Sequence, residues 1–163
     1  MDNETFMKMI KRLFCVGPIV MLTILILDSI AFLICNYYPL TININNEIRI
    51  IIICILSFVF ITVYAWFMII LKKYSMGITL IIKGPYRIVR HPLYSVFSLI
   101  IPGIVAFSFN DLWFIFAWIL VIVITHFIVR IEEKYLIKKF GDEYIEYKKK
   151  VPTLIPYKGV LKI

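Results

Sequence analysis

Four apolar stretches, roughly residues 14–37, 48–71, 93–109 and 112–129, constrain this chain more than anything else in it. A helix needs about 20 apolar residues, with a tolerance of a few, to cross the hydrocarbon of a bilayer. The first two stretches have length to spare and the last two only just suffice. Inside hydrocarbon every backbone N–H and C=O must find a partner within the protein, and helices do this locally. The expected fold is therefore an all-α integral membrane protein with four transmembrane helices and a C-terminal cytoplasmic helical pocket, forming a single membrane domain over 1–163. Only Ser108, Phe109, Asn110 and Asp111 are available to turn the chain between the last two spans. A tight hairpin through a thinned bilayer is the alternative there, and four crossings is the expectation. The first apolar run is about twice a signal-peptide core and no small-residue cleavage site follows it, so it reads as a span that is retained.

Lys and Arg resist translocation when they sit near a span, so their placement predicts orientation. The N-terminal tail carries Lys8, Lys11 and Arg12, and the segment between the second and third spans carries Lys72, Lys73, Lys83, Arg87 and Arg90. Nine more lie from Arg130 to Lys162, leaving Arg49 as the one basic residue of eighteen on the opposite side. Both termini are expected in the cytoplasm. Charge sorted in this way accounts for the net charge of +8 through insertion and anionic headgroups. Nucleic-acid binding is not expected.

Residues 1–75 read as anchor spans. The connection 39–47 is Asn-rich with turn-forming residues and carries nothing catalytic. Asp28 is the ionisable residue within these spans; it flags function, but a protonated carboxyl, or one paired with Ser or Asn against another helix, is the plainer reading. Cys15, Cys35 and Cys54 lack metal or redox spacing and read as small apolar fillers. No metal site is expected.

Residues 76–163 differ, because polar residues crowd where the spans meet the basic side. The first cluster is Lys83-Gly84-Pro85-Tyr86-Arg87-Ile88-Val89-Arg90-His91-Pro92-Leu93-Tyr94. Gly84-Pro85 predicts a turn, and Pro92 suits the first turn of a helix, where its missing N–H is not needed. Arg90 and His91 then stand at a helix N-terminus, a natural seat for a carboxylate or phosphate. Snorkelling basic residues with interfacial tyrosines explain the same composition. The second cluster runs from Arg130-Ile131-Glu132-Glu133 to Phe140-Gly141-Asp142-Glu143-Tyr144-Ile145-Glu146-Tyr147-Lys148. Gly141 reads as a helix stop, Asp142 as the cap of a new short helix, and Val151-Pro152 as its end. His126, Arg130 and Glu133, spaced by four and three, are expected on one helix face. Tyr144 and Tyr147 share a face of the next helix and are expected to lid the same pocket. A solvated helix face is the competing reading, and Lys148, Lys149 and Lys150 read most simply as a headgroup-binding run.

With GPYRIVRHPLY and RIEEKYLIKKFGDEYIEYKKKVPTLIP in this order and spacing, residues 78–156 resemble the isoprenylcysteine carboxyl methyltransferase family and its prokaryotic relatives, a group that includes phospholipid methyltransferases. Ser95-Val96 is a departure, since relatives often have glycine soon after the tyrosine. The N-terminal spans show no usable similarity. The resemblance implies S-adenosylmethionine as methyl donor, held by a C-terminal cytoplasmic pocket, with the membrane and a lipophilic acceptor as partners. It implies the endoplasmic reticulum for a eukaryotic chain and the plasma membrane for a prokaryotic one. No glycine-rich dinucleotide fingerprint is present. The cofactor's carboxylate wants an Arg or a helix N-terminus, its ammonium and ribose want carboxylates, and its adenine wants an aromatic face. Tyr86, Arg90, His91, Tyr94, Glu132, Glu133, Tyr144 and Tyr147 are the expected cofactor-binding residues. Arg130 and Glu133 are the expected catalytic residues, with Arg130 or Arg90 orienting an acceptor carboxylate. The acceptor's tail is expected to enter between the third and fourth spans. The expected activity is methylation of a lipophilic acceptor, such as the carboxylate of a prenylated cysteine. Phospholipid N-methylation, an NADPH-dependent reductase and a non-enzymatic adaptor are the alternatives.

Overall fold

The structure is a computed structural model that describes residues 3–73 and 79–157, with side chains described for 17–70 and 79–157. It is all-helical: α1 (Asn3–Tyr37), α2 (Asn46–Lys73), a 3-10 turn (Gly84–Arg87), α3 (Pro92–Leu99), α4 (Ile101–Phe109), α5 (Leu112–Phe140) and α6 (Asp142–Lys150). Among the described residues, four segments are long and apolar enough to cross a membrane: Gly17–Tyr37, Asn46–Ile70, Pro92–Phe109 and Leu112–Phe140. The third is broken at Ile100. Pro102 has no N–H for the Ser98 carbonyl and its ring crowds that carbonyl, which divides the span into α3 and α4. Hydroxyls within the spans satisfy themselves on the carbonyl four residues back, as Thr23 does on Ile19 at 2.9 Å and Ser98 on Tyr94 at 2.7 Å.

Burial along α1 follows helical spacing, and Val20, Ile24 and Ala31 pack against Phe114, Ala117, Val121 and Val129 of α5. Small side chains let the backbones approach. Between α4 and α5 the same logic holds, since a Cβ on Gly103 would lie 2.9 Å from the Trp118 ring. By contrast α2 leans on α3 and α4 and shows Ile50, Ile51, Ile55, Phe58, Ile61 and Ile69 to the outside, a surface suited to lipid.

One end of the bundle is closed by the connection after α1. The α4–α5 turn is two residues long, with Asn110 left-handed at φ 55 and Asp111 capping α5. Oδ1 of Asp111 accepts from Trp113 N at 3.0 Å and Oδ2 from Leu40 N at 2.7 Å. Leu112 N bonds Leu40 O and Ile42 N bonds Asn110 O, pinning the loop to the turn. The loop without chemistry in its sequence is thus a structural clasp.

Two sequence expectations need adjustment. The fourth apolar run ends near residue 129, and its helix continues to Phe140 with Gly141 as the stop, as expected, about 44 Å at 1.5 Å per residue, well beyond a hydrocarbon core of about 30 Å. Its polar last turns continue because Glu, Lys, Tyr and Leu leave the helix intact until Gly141. Of the two readings of Asp28, pairing is not seen at Oδ1, which is buried without a hydrogen-bond partner among the described residues. Cys54 is exposed on α2 and fills no core, whereas Cys35 packs beside Ala31 and Phe114. Cys15 has no described side chain.

Candidate functional site

At the end opposite the clasp, the 3-10 turn, the start of α3, the end of α5, α6 and the tail 151–157 converge. Gly84 enters the 3-10 turn with φ 61, a conformation side chains resist, and a Cβ there would meet Ile70 of α2 at 2.6 Å. Its Lys83-Gly84-Pro85 sequence therefore sets how closely the Arg-His-Pro segment approaches α2. Pro92 is the first residue of α3 and His91 its N-cap. Ser95 donates to the His91 carbonyl at 2.9 Å, so the residue that departs from the resembled family bonds back to the motif. Gly141, at φ 56, both ends α5 and begins α6, so Asp142 is the first helical residue and not the cap. The reversal folds Tyr144 and Tyr147 onto Leu136, Ile137 and Phe140.

The 3-10 turn, α3, α5 and α6 together with α2 border an open cavity of about 470 Å³. Its lining is polar at Arg90, His91, Tyr94, Glu132 and Tyr144 and apolar at Phe67 and Met68 of α2 and Phe97 of α3, with Tyr64 beside them. Three polar atoms of this wall are buried without a hydrogen-bond partner among the described residues: Nε2 of His91, Oε2 of Glu132 and the Tyr144 hydroxyl. The imidazole stacks on Tyr94, with ring centroids 5.7 Å apart, and the Tyr94 hydroxyl is within reach of the Glu132 carboxylate. Tyr147 donates to the Tyr86 carbonyl at 2.6 Å, and Tyr86 sits against Phe67. Burial pushes the phenols of Tyr86, Tyr144 and Tyr147 well above their usual range, so they serve as neutral hydroxyls and not as phenolates.

Beneath this wall lies a second polar layer centred on Glu133, which is 3% exposed. Its Oε1 accepts from Nε of Arg90 at 2.8 Å and from Nη2 at 2.5 Å, and its Oε2 from Nζ of Lys148 at 2.7 Å. His91 Nε2 is 3.6 Å from Oε1, too far for a hydrogen bond. Unpaired, a buried carboxylate is costly; here two cations surround it.

The candidate residues thus separate. Tyr86, Arg90, His91, Tyr94, Glu132, Tyr144 and Tyr147 all line the cavity. Glu133, expected to face the pocket, lies behind it, and Glu132 takes the lining position. Arg130, expected to be catalytic, is exposed, with its guanidinium over the Phe127 ring at 5.6 Å and away from the cavity. The reason is helical phase: Ala117, Val121, Thr125, Val129 and Glu133 form the buried stripe of α5, and Arg130 is one residue, about 100°, past it. The i+4 series of small and β-branched residues starting at Ala117 leads to Glu133 and is the signal that finds it. Apolar lining comes from α2 (Tyr64, Phe67 and Met68) as well as from the third span (Leu93 and Phe97) and the fourth helix (Leu136 and Phe140). Lys148 is held by Glu133 and Lys149 by Glu146 at 2.6 Å, so these two are more than a headgroup-binding run. Thr153 and Val151, which lie in the second motif but are not among the expected site residues, complete the Arg90 environment.

Parts of this chain are similar to known proteins. Protein-S-isoprenylcysteine O-methyltransferase B of Arabidopsis thaliana is 40% identical over 81 residues, which are 48% of this chain and 40% of that protein. The chain therefore matches well under half the length of that relative. The phospholipid methyltransferase family matches residues 48–143, beginning in α2 and so reaching further toward the N-terminus than the motif resemblance. With residues 48–143, more than half the chain, matched, it belongs to the phospholipid methyltransferase family, the group that its Arg-His-Pro and Glu-Glu segments resemble.

Proposed function

We propose that this integral membrane protein is a methyltransferase that takes its methyl group from S-adenosylmethionine and acts on a lipophilic acceptor, the carboxylate of a prenylated cysteine or a molecule of similar form. The observation that carries the reading is one cavity whose lining combines three residues that each hold an unpartnered buried polar atom, His91, Glu132 and Tyr144, with apolar side chains from several spans. Residues 76–163 supply the polar lining, and the anchor spans contribute Gly17, Tyr64, Phe67 and Met68. The name of the Arabidopsis relative supports O-methylation of an isoprenylcysteine.

The polar atoms fit the donor. Oε2 of Glu132, which makes no hydrogen bond among the described residues, would accept from an ammonium or a ribose hydroxyl, and the Tyr144 hydroxyl and His91 Nε2, likewise without one, would bond carboxylate or base. Bound there, S-adenosylmethionine would supply an electrophilic methyl carried on a sulfonium. A carboxylate acceptor is already ionised near neutral pH, so the chain needs no general base. Its task is to align the reactants and exclude water. The aromatic wall of Tyr64, Phe67 and Phe97 excludes water and offers a hydrocarbon tail a path from the bilayer. The test is transfer of labelled methyl from S-adenosylmethionine to N-acetyl-S-farnesylcysteine by the purified protein in nanodiscs. A base-labile ester label supports the reading; no transfer rejects it, and label in phosphatidylethanolamine replaces it with N-methylation.

A further inference from the structure

Arg90 opens the Arg-His-Pro motif and touches the cavity, and its residue type suggests a seat for a ligand's carboxylate. A guanidinium has five N–H donors, and here all five are occupied within the protein. Nε and one Nη2 proton go to Oε1 of Glu133 on α5, and the second Nη2 proton goes to Oγ1 of Thr153 at 2.6 Å. Nη1 serves the carbonyl of Lys148 at 3.0 Å and that of Val151. Those two carbonyls belong to the last turn and the C-cap of α6, where a helix dipole favours a cation. The backbone repeats the connection: Arg90 N donates to Pro152 O at 2.8 Å and His91 N to Thr153 O at 3.2 Å.

We propose that Arg90 is a positioning residue that holds no ligand, and that it staples α5, the end of α6 and the strap 151–154 to the start of α3. Each group left free in the cavity is one step from this staple. His91 is the next residue in the chain, Glu132 precedes the Glu133 that Arg90 anchors, and Tyr144 stands on the helix whose end it caps. Accepting a ligand's carboxylate would require Arg90 to release a buried partner, leaving Glu133 or a helix-end carbonyl unpaired. This deepens the methyltransferase reading and rests on it for the identity of the ligand.

Two variants of the full chain in nanodiscs test the staple, Arg90→Lys and Thr153→Val. Lysine cannot reproduce the five-donor fork, and valine removes one bond while leaving the guanidinium intact. The readouts are hydrogen exchange over 142–157 without ligand and calorimetric affinity for S-adenosylmethionine. Both variants are expected to raise exchange in that segment and to weaken binding, Arg90→Lys by about tenfold or more and Thr153→Val by about threefold. If Arg90 instead contacts the donor, Thr153→Val frees a donor N–H and leaves affinity equal or tighter, which overturns the proposal. Faster exchange with unchanged affinity in both variants also overturns it, since the contacts would then be structural only. Should Arg90→Lys fail to fold, Thr153→Val decides alone. Wild-type protein that binds no S-adenosylmethionine would sink the methyltransferase reading, while exchange in the two variants would still judge the staple.

Discussion

Each end of the bundle buries carboxylates, and they are treated differently. At the clasp, Asp111 has both oxygens occupied by backbone N–H groups, which fix the α4–α5 turn and the loop after α1. At the basic end, Glu133 is likewise saturated, by Arg90 and Lys148, but its neighbour Glu132 keeps one buried oxygen without a partner. Satisfied carboxylates hold structure together; an unsatisfied one facing a cavity is stored capacity for a ligand. Asp28, Asn110, Trp118 and Thr125 also leave a buried polar atom unpartnered, but none of them lines the cavity where His91, Glu132 and Tyr144 meet.

That contrast is open to attack by substitution. The largest effect is expected from Glu133→Ala, which strands Arg90 and Lys148 beside a hole and should cost about 3 to 5 kcal/mol of stability. Thermal unfolding in detergent measures it, and a shift no greater than that of a surface substitution would remove Glu133 from its supporting role. Glu132→Gln should lower S-adenosylmethionine affinity by about tenfold to a hundredfold, equivalent to roughly 1.5 to 3 kcal/mol, with the melting temperature kept. Equal affinity in this variant would show Glu132 to be idle. Asp111→Asn should do the reverse, keeping one acceptor for the cap but setting an NH2 group against a second N–H donor, which lowers stability by about 1 to 3 kcal/mol while leaving affinity unchanged. Smallest of all, Arg130→Ala should alter stability by no more than about 0.5 kcal/mol and leave methyl transfer intact. A large loss of turnover with Arg130→Ala would restore the catalytic role its sequence position suggested.

Much of this was legible from residue order because membrane spans and turn chemistry are local. The four apolar runs, Gly84-Pro85, Pro92 at the start of a helix and Gly141 at the end of another each act within a few residues. Helix phase was harder to read. Since α5 is apolar on every side through most of its length, its sequence does not announce which face is buried. The His126, Arg130 and Glu133 spacing is helical, yet the buried stripe runs through Thr125 and Val129 and reaches only Glu133. The choice between adjacent glutamates turned on that difference. Contacts across long stretches of chain were beyond reach altogether: nothing near Arg90 in sequence foretells that Glu133, Lys148, Val151 and Thr153 would take all its donors.

The central claim is that the cavity bounded by His91, Glu132 and Tyr144 receives S-adenosylmethionine. Calorimetric titration of the purified protein, with Glu132→Gln and Asp111→Asn run alongside, tests it most directly. Saturable binding by the wild type and by Asp111→Asn, with a clear loss in Glu132→Gln, is the expected result. Absence of binding by the wild type, or equal binding by all three, would contradict it.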